Sequence, residues 1–361
     1  MDKMRLAAIV TLLGGMNVFA DDCGCAPPPT RTLCCQIPQI AAYNAPSFID
    51  ACMDLYCTVD FTYWSASQEN LELGVVSNVA SGLVAIDGTL VNQNSDYAPG
   101  FQLGFGADLG FDNWNFFTEY TWFRNTDTVT TSLDPAGTKV LYPVRGKPLG
   151  PFDRYFYGHE RWNLGMDFID AEIGRAYYVG SALTFHPTLG LRGAFIRQEL
   201  NVNYLNEASG LPAHNTHISQ SAHSWGIGPR VGFCSSWMLG KGFRLYGDGS
   251  GDLLFTRYTT LNFNQKISNE VNAIIDGGII DIKERNIGYL RTHLDLELGF
   301  GWGAYFYANR YHFDIAAGYD FQVFFNQNVF RRFTDDSSYS SILPNGDLFI
   351  QGLTISAQFD F

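Results

Sequence analysis

The chain has 361 residues, 46% of them hydrophobic and 15% aromatic, but only 16% charged, against about 25% in ordinary globular proteins. Its formal net charge of −13, with no basic run of any length, argues against a nucleic-acid partner, and the hydrophobic fraction excludes a helical membrane protein. The length allows two or three soluble domains or one large β-domain, and 37 glycines among so many aromatics favour the second.

The first segment predicts export. Lys3 and Arg5 precede the apolar run Leu6–Phe19, and Val18-Phe19-Ala20 offers a cleavage site before Asp21. The run is too short for a membrane-spanning helix, which needs about 20 residues. Residues 1–20 are therefore read as a signal peptide. Losing Lys3, Arg5 and Asp2 takes the net charge from −13 to about −14. No lipidation pattern precedes Cys23.

Residues 21–54 form a Cys/Pro-rich leader on the periplasmic side. Six of the seven cysteines, Cys23, Cys25, Cys34, Cys35, Cys52 and Cys57, fall at or just after it. Export permits disulfides, so internal pairing and cross-linking to another chain both stand as readings. Zinc fits less well, since the stretch holds no histidine.

From Leu55 to Phe361 the hydrophobic pattern has period 2. Cys57, Val59, Phe61 and Tyr63 alternate with Thr58, Asp60, Thr62 and Trp64. Phe101, Leu103, Phe105 and Ala107 alternate with Gln102, Gly104, Gly106 and Asp108. A tight turn through Asp112-Asn113 leads into Trp114, Phe116, Thr118, Tyr120 and Trp122, opposed by Glu119. The next segment sets Trp162, Leu164, Met166 and Phe168 on the apolar face and Asp167 on the polar one; its phase blurs near Asp170, where a bulge is expected. Further apolar faces follow: Leu183–Leu191, Trp225–Phe233, Phe243 to Phe255, Leu290–Trp302, Tyr311–Val323 and Leu353–Phe361.

The opposite faces carry Asp108, Glu119, Asp167, Arg192, Arg230, Arg244, Asp248, Asp252, Arg291, His293, Asp295, Glu297, Asp314 and Asp320, and almost no lysine. Such mixed charge suits a hydrated lumen, with the apolar faces toward lipid. Short connectors near 111–113, 179–182, 237–242 and 303–310 alternate with long ones near 70–98, 125–160, 201–222, 257–287 and 326–346, the pattern of periplasmic turns and extracellular loops. The expected fold is all-β: an antiparallel outer-membrane β-barrel of ten strands, or twelve if 70–98 or 257–287 hide more. Phe359 and Phe361 close the last strand as an assembly signal for the barrel assembly machinery.

Several segments resemble the pore-forming major outer membrane proteins of chlamydia-like and Legionella-type bacteria: "FTYWSASQENLELG", "APGFQLGFGADLGFDNWNFFTEYTWF", "LTFHPTLGLRGAFIRQELNVNY" and "TISAQFDF". The resemblance covers about residues 55–361. It implies passive diffusion of small solutes and an envelope-structural role, with disulfide-linked envelope proteins as partners, and it supplies no catalytic residue.

Chemistry finds little foothold. No G-x-S-x-G elbow occurs, "GDGSGD" lacks EF-hand spacing, and His214, His217 and His223 read as an exposed loop. The expectation is a non-enzymatic channel with no cofactor and no metal, meeting lipid, small solutes or ions and, through its cysteines, envelope proteins or a second copy. Nine inward acids against four arginines predict weak cation preference. The competing expectation is a plugged narrow barrel with a structural or adhesive role.

Overall fold

The computed structural model describes residues 54–361 except 79–86, 110–111, 148–154, 207–212, 270–273, 307–310, 334–340 and 344. The signal segment, the leader up to residue 53 and Cys23, Cys25, Cys34, Cys35 and Cys52 lie outside the described residues.

Ten antiparallel strands make the wall: β1 Asp54–Gln68, β2 Tyr97–Asp108, β3 Trp114–Ser132, β4 Tyr157–Arg175, β5 Leu183–Asn206, β6 His214–Gly240, β7 Phe243–Asn269, β8 Ile287–Phe306, β9 Tyr311–Asn328 and β10 Gly346–Asp360. Each pairs with its sequence neighbour, and β10 pairs with β1 from Tyr56↔Asp360 to Gln68↔Leu348, so the sheet closes and leaves no edge. At the seam Phe361 and Leu55 exchange backbone hydrogen bonds of 2.8 and 3.3 Å. The turns at this end are tight. Asp112 and Asn113 both adopt positive φ (53° and 58°), and Leu109 donates to the Trp114 carbonyl at 2.9 Å across the same turn. Gly240-Lys241-Gly242 turns through three positive φ values. The long connectors all lie at the other end, as the sequence pattern indicates.

Strand length then matters. β6 and β7 each have 27 residues, whereas about 9–11 suffice to cross a bilayer. At about 3.3 Å per residue these strands run roughly 90 Å. Less than half of that is needed in lipid, so the remainder stands in water.

The side chains record the change of solvent. On β6 the outward residues are Trp225, Ile227, Pro229, Val231, Phe233 and Trp237 in the lower part, and Asn215, His217, Ser219, Ser221 and His223 above. The inward residues do the reverse: Arg230, Cys234 and Ser236 below, Ile218 and Ala222 above. β5 repeats the switch. Leu189 and Leu191 are 60% and 57% exposed to the outside, while Leu200, Val202 and Tyr204, one turn of the pattern higher, are fully buried inside. The membrane half is thus apolar outside and polar inside. The extracellular half is polar outside and packed with an apolar core that includes Trp64, Phe123, Trp162, Ile196, Leu254, Phe324 and Leu348.

This reversal corrects three expectations. Trp162, Leu164, Met166 and Phe168 face the barrel interior, not lipid, and Asp167 points outward. No bulge interrupts β4 near Asp170; its register with β3 and β5 is continuous. The pattern blurs there because the apolar face changes sides while the backbone keeps its phase. A register shift does occur on β7, where His223 pairs with Thr260 and Ser224 with Tyr258, so Thr259 is the extra residue. Finally, much of 201–222 and 257–287 is strand. His214, His217 and His223 sit on β6, the first inward and the other two outward, and do not converge.

At the extracellular end, Gly74–Asn78 pairs with both Gly88–Val91 and Lys139–Pro143, with Leu73 and Leu141 in the core, and Ile274–Glu284 pairs alongside the top of β7. The chain after Lys139–Pro143 dips inward. Arg145 and Glu160 form an ion pair of 3.0 Å with both side chains fully buried, and Lys147 exchanges hydrogen bonds of 2.8 and 2.6 Å with Gln265. Burial pushes the Glu160 carboxyl up, against the opposing pull of Arg145.

Candidate functional site: a polar chamber beneath an ion-paired layer

Between the apolar core and the periplasmic turns lies a chamber of about 390 Å³. Alternation on every strand decides its lining. Thr58 and Asp60 come from β1, Glu119 from β3, Asp170 and Glu172 from β4, Arg230 and Cys234 from β6, Arg244, Tyr246 and Asp248 from β7, Asp295 and Glu297 from β8, and Asp314 and Asp320 from β9.

Its roof is a buried layer of cross-strand ion pairs. Arg192 lies directly across from Asp170 in the β4–β5 register and holds it with two parallel bonds of 2.7 and 2.6 Å. This bidentate geometry is the strong form of the contact. The other arm of Arg192 reaches Asp252 at 3.1 Å, and Asp252 also sits 2.6 Å from His293 Nδ1 and 3.2 Å from Arg230. His293 stacks on Phe324 with ring centroids 4.0 Å apart, and Arg192 lies over Phe168. The layer therefore joins the apolar core above to the charged wall below. Under it, Arg230 also pairs with Glu172, Arg244 pairs with Asp314, and Tyr246 donates to Glu297. Asp320 accepts from Trp64 Nε1 at 3.1 Å and from Thr354.

Glycine makes room for the longest of these arms. A Cβ at Gly318 would stand 2.5 Å from the Tyr246 hydroxyl and closer still to Glu297, so the bare backbone leaves room for both tips to lie along the wall over the neighbouring strand.

Of the charged residues expected in the lumen, Glu119, Arg230, Arg244, Asp248, Asp295, Glu297, Asp314 and Asp320 line the chamber, and Arg192 and Asp252 form its roof. Asp108 lies on the inward face of β2 at the periplasmic end, outside the chamber lining. Arg291 points inward but higher, over the ring of Tyr289 at 4.5 Å. Asp167 is the exception: on the outer surface it pairs with Arg124 at 2.8 Å and accepts from Tyr120, beside Trp122. The sequence reading did not count Asp60, Asp170, Glu172 or His186, all of which line the chamber. Asp60 stood on the polar face of its strand and was recoverable by alternation alone. Asp170 and Glu172 required the correct face for β4. Cys57 is on the outward face of β1, opposite Phe105 and Phe359, and Phe359 stacks between Tyr311 and Phe361.

Solved structures resemble the fold at low sequence identity. The outer membrane protease OmpT of Escherichia coli is 7% identical, with 86% of this chain and 96% of that one covered and a TM-score of 0.37. A major outer membrane protein of Thermus thermophilus is 12% identical, covering 85% and 99%, with a TM-score of 0.27. A Pseudomonas aeruginosa FadL homologue is 8% identical, covering 89% and 93%, with a TM-score of 0.29. At such scores the likeness carries no argument about activity. Among curated proteins none matches. The family described as Legionella pneumophila major outer membrane protein precursor matches residues 53–361. The chain belongs to that family: it is an outer-membrane β-barrel protein whose membrane half encloses a polar chamber.

Proposed function

We propose that this barrel is closed by its own extracellular core and serves the envelope as a surface-exposed structural protein, without catalysis and without bulk diffusion of solutes. The observation that carries the reading is the filled upper lumen. Trp64, Leu73, Trp162 and Leu200 are fully buried there, capped by the sealed Arg145–Glu160 pair. An ion crossing an interior filled by such side chains would shed its hydration with little replacement. Export by residues 1–20, insertion by the assembly machinery and oxidation of the leader cysteines, with a bridge to an envelope protein or a second copy, belong to the same proposal. Reconstitution into planar bilayers tests it. Only background current is expected, and a steady ohmic conductance overturns it. Non-reducing electrophoresis of thiol-trapped envelopes tests the cross-link.

A second reading rests on the chamber. Its acidic lining favours a porin-like channel for small hydrophilic solutes with weak cation preference, the upper core then acting as a gate. In that case a KCl gradient gives a cation-selective reversal potential that fades as salt rises, because the Debye length falls from about 10 Å at 0.1 M to 3 Å at 1 M.

A further inference from the structure

The chamber's charge is not balanced from within. Nine carboxylates line it against two arginines, and both arginines are already engaged, Arg230 with Glu172 and Asp252 and Arg244 with Asp314. Among the described residues, Asp60, Glu119, Asp248, Glu297 and Asp320 have no cationic side chain within 4.0 Å. Asp60 stands out among them: it lines the chamber, it is only 7% accessible, and its Oδ1 is buried with no hydrogen-bond partner. A carboxylate so enclosed calls for a counter-charge, and the described residues supply none within 4.0 Å.

A metal ion does not answer the need. Among the described residues no three His, Cys, Asp or Glu side chains stand close enough to hold one. The carboxylates are instead distributed around the wall. A ligand with several cationic centres separated by methylene spacers can meet them in turn. The stacked pair Tyr56 and Phe117, with centroids 5.8 Å apart, and the ring of Tyr246 offer faces for the spacers and for cation–π contact. A volume of about 390 Å³ lies in the usual range of ligand cavities, about 300–1,000 Å³, and admits such a molecule with part of its hydration.

We infer that the chamber is a binding site for a small organic polycation, a linear di- or triamine entering from the periplasmic side. The inference rests on the closed-barrel reading in one respect: the core above the Arg192 layer makes the chamber a terminus, so the ligand is held.

Calorimetric titration of the purified full-length chain in detergent, with spermidine as the probe and putrescine and Mg²⁺ as comparators, tests it at about 0.1 M salt, where surface charges beyond about 10 Å are screened. The expected result is saturable binding of one spermidine per barrel, weaker for putrescine and weakest for Mg²⁺. Asp60→Asn should weaken spermidine by about five-fold or more, the loss of roughly one kcal/mol of charge pairing. Glu199→Gln, on the polar outer wall, should leave it unchanged. Heat-modifiable gel migration reports whether each variant is folded, and Glu297→Gln replaces Asp60→Asn if the latter fails. Absence of saturable binding overturns the site. So does equal affinity for Mg²⁺ with no effect of either substitution, which is a diffuse counterion atmosphere. Conductance separates the two conclusions: a conducting barrel that binds spermidine refutes only the closed reading, and a silent barrel that does not bind refutes only the site.

Discussion

Replacing Trp162 by alanine tests the reversal of faces at its most consequential point. The indole is fully buried in the extracellular core and donates to Gln198 Oε1 at 3.3 Å. An aromatic of this kind buries about 150–250 Å², which at about 25 cal/mol per Å² is about 4–6 kcal/mol at most. Partial relaxation of the cavity brings the usual cost of such a truncation to about 3–5 kcal/mol. Gln198, itself only 2% exposed, also loses its donor, adding about 1 kcal/mol. We expect Trp162→Ala to destabilise the barrel by about 4–6 kcal/mol in guanidinium unfolding followed by circular dichroism in detergent. The emission lost on substitution should also be insensitive to lipids brominated in their chains, since the ring never meets them. A cost below about 1 kcal/mol, together with strong quenching by brominated chains, would place Trp162 on the lipid face and refute the inside-out extracellular half.

Three further outcomes are expected. Deleting Phe361 removes the hydrogen bonds to Leu55 at the seam and should impair outer-membrane assembly more than the stability of barrels that do form; fractionation with heat-modifiable gels measures both, and normal assembly would contradict it. Cys234 lines the acidic chamber, so a cationic methanethiosulfonate should modify it faster than an anionic one, by about ten-fold or more, as mapped on its peptide by mass spectrometry; equal rates would refute the acidic excess. On the extracellular rim, burial pushes the Asp127 carboxyl up to about 6, opposed by hydrogen bonds from the Asp96 amide and Asn125. Because its folded value exceeds the unfolded one, its contribution is most favourable below about pH 4 and is lost as pH rises through 6. Asp127→Asn should therefore flatten that part of the stability profile, by on the order of 1–3 kcal/mol, in urea titrations at pH 4 and pH 7.

The membrane half was legible in the sequence because one physical rule governs it. On β5 to β10 every second residue meets lipid, so Leu189, Val231, Leu294, Ile315 and Leu353 announce both strand and face. The extracellular half hid for two reasons. Its outer wall is polar, so Asn201, Asn203, Ser219 and Ser221 read as loop although they continue the same strands. Its inner wall is apolar, so Trp162 to Phe168 read as a lipid face one residue out of phase. That inversion misplaced Asp167 and concealed Asp170 and Glu172, while β8 and β9, which never invert within their apolar runs, delivered Asp295, Glu297, Asp314 and Asp320 correctly. The ion-paired roof was half visible: Arg192, Asp252 and His293 were each assigned inward, but their convergence depends on the stagger of four strands, which alternation does not encode.

The polar outer wall of the extracellular half also constrains how the protein can reach its place. Arg161, Arg197 and Glu199 look outward there, with Asn201 and Asn203 beside them. Carrying an arginine on the outer face through the middle of a bilayer costs about 2–4 kcal/mol each. Passage of a finished barrel tip-first through hydrocarbon is therefore disfavoured; two arginines alone would raise a barrier of about 4–8 kcal/mol before the carboxylate and amides are counted. A route in which the long hairpins cross while the wall is still open would avoid that cost, with the apolar lower halves meeting lipid as the Leu55–Phe361 seam closes. Spontaneous refolding into preformed bilayers should be correspondingly slow, and faster where packing defects let the charged tips slip through.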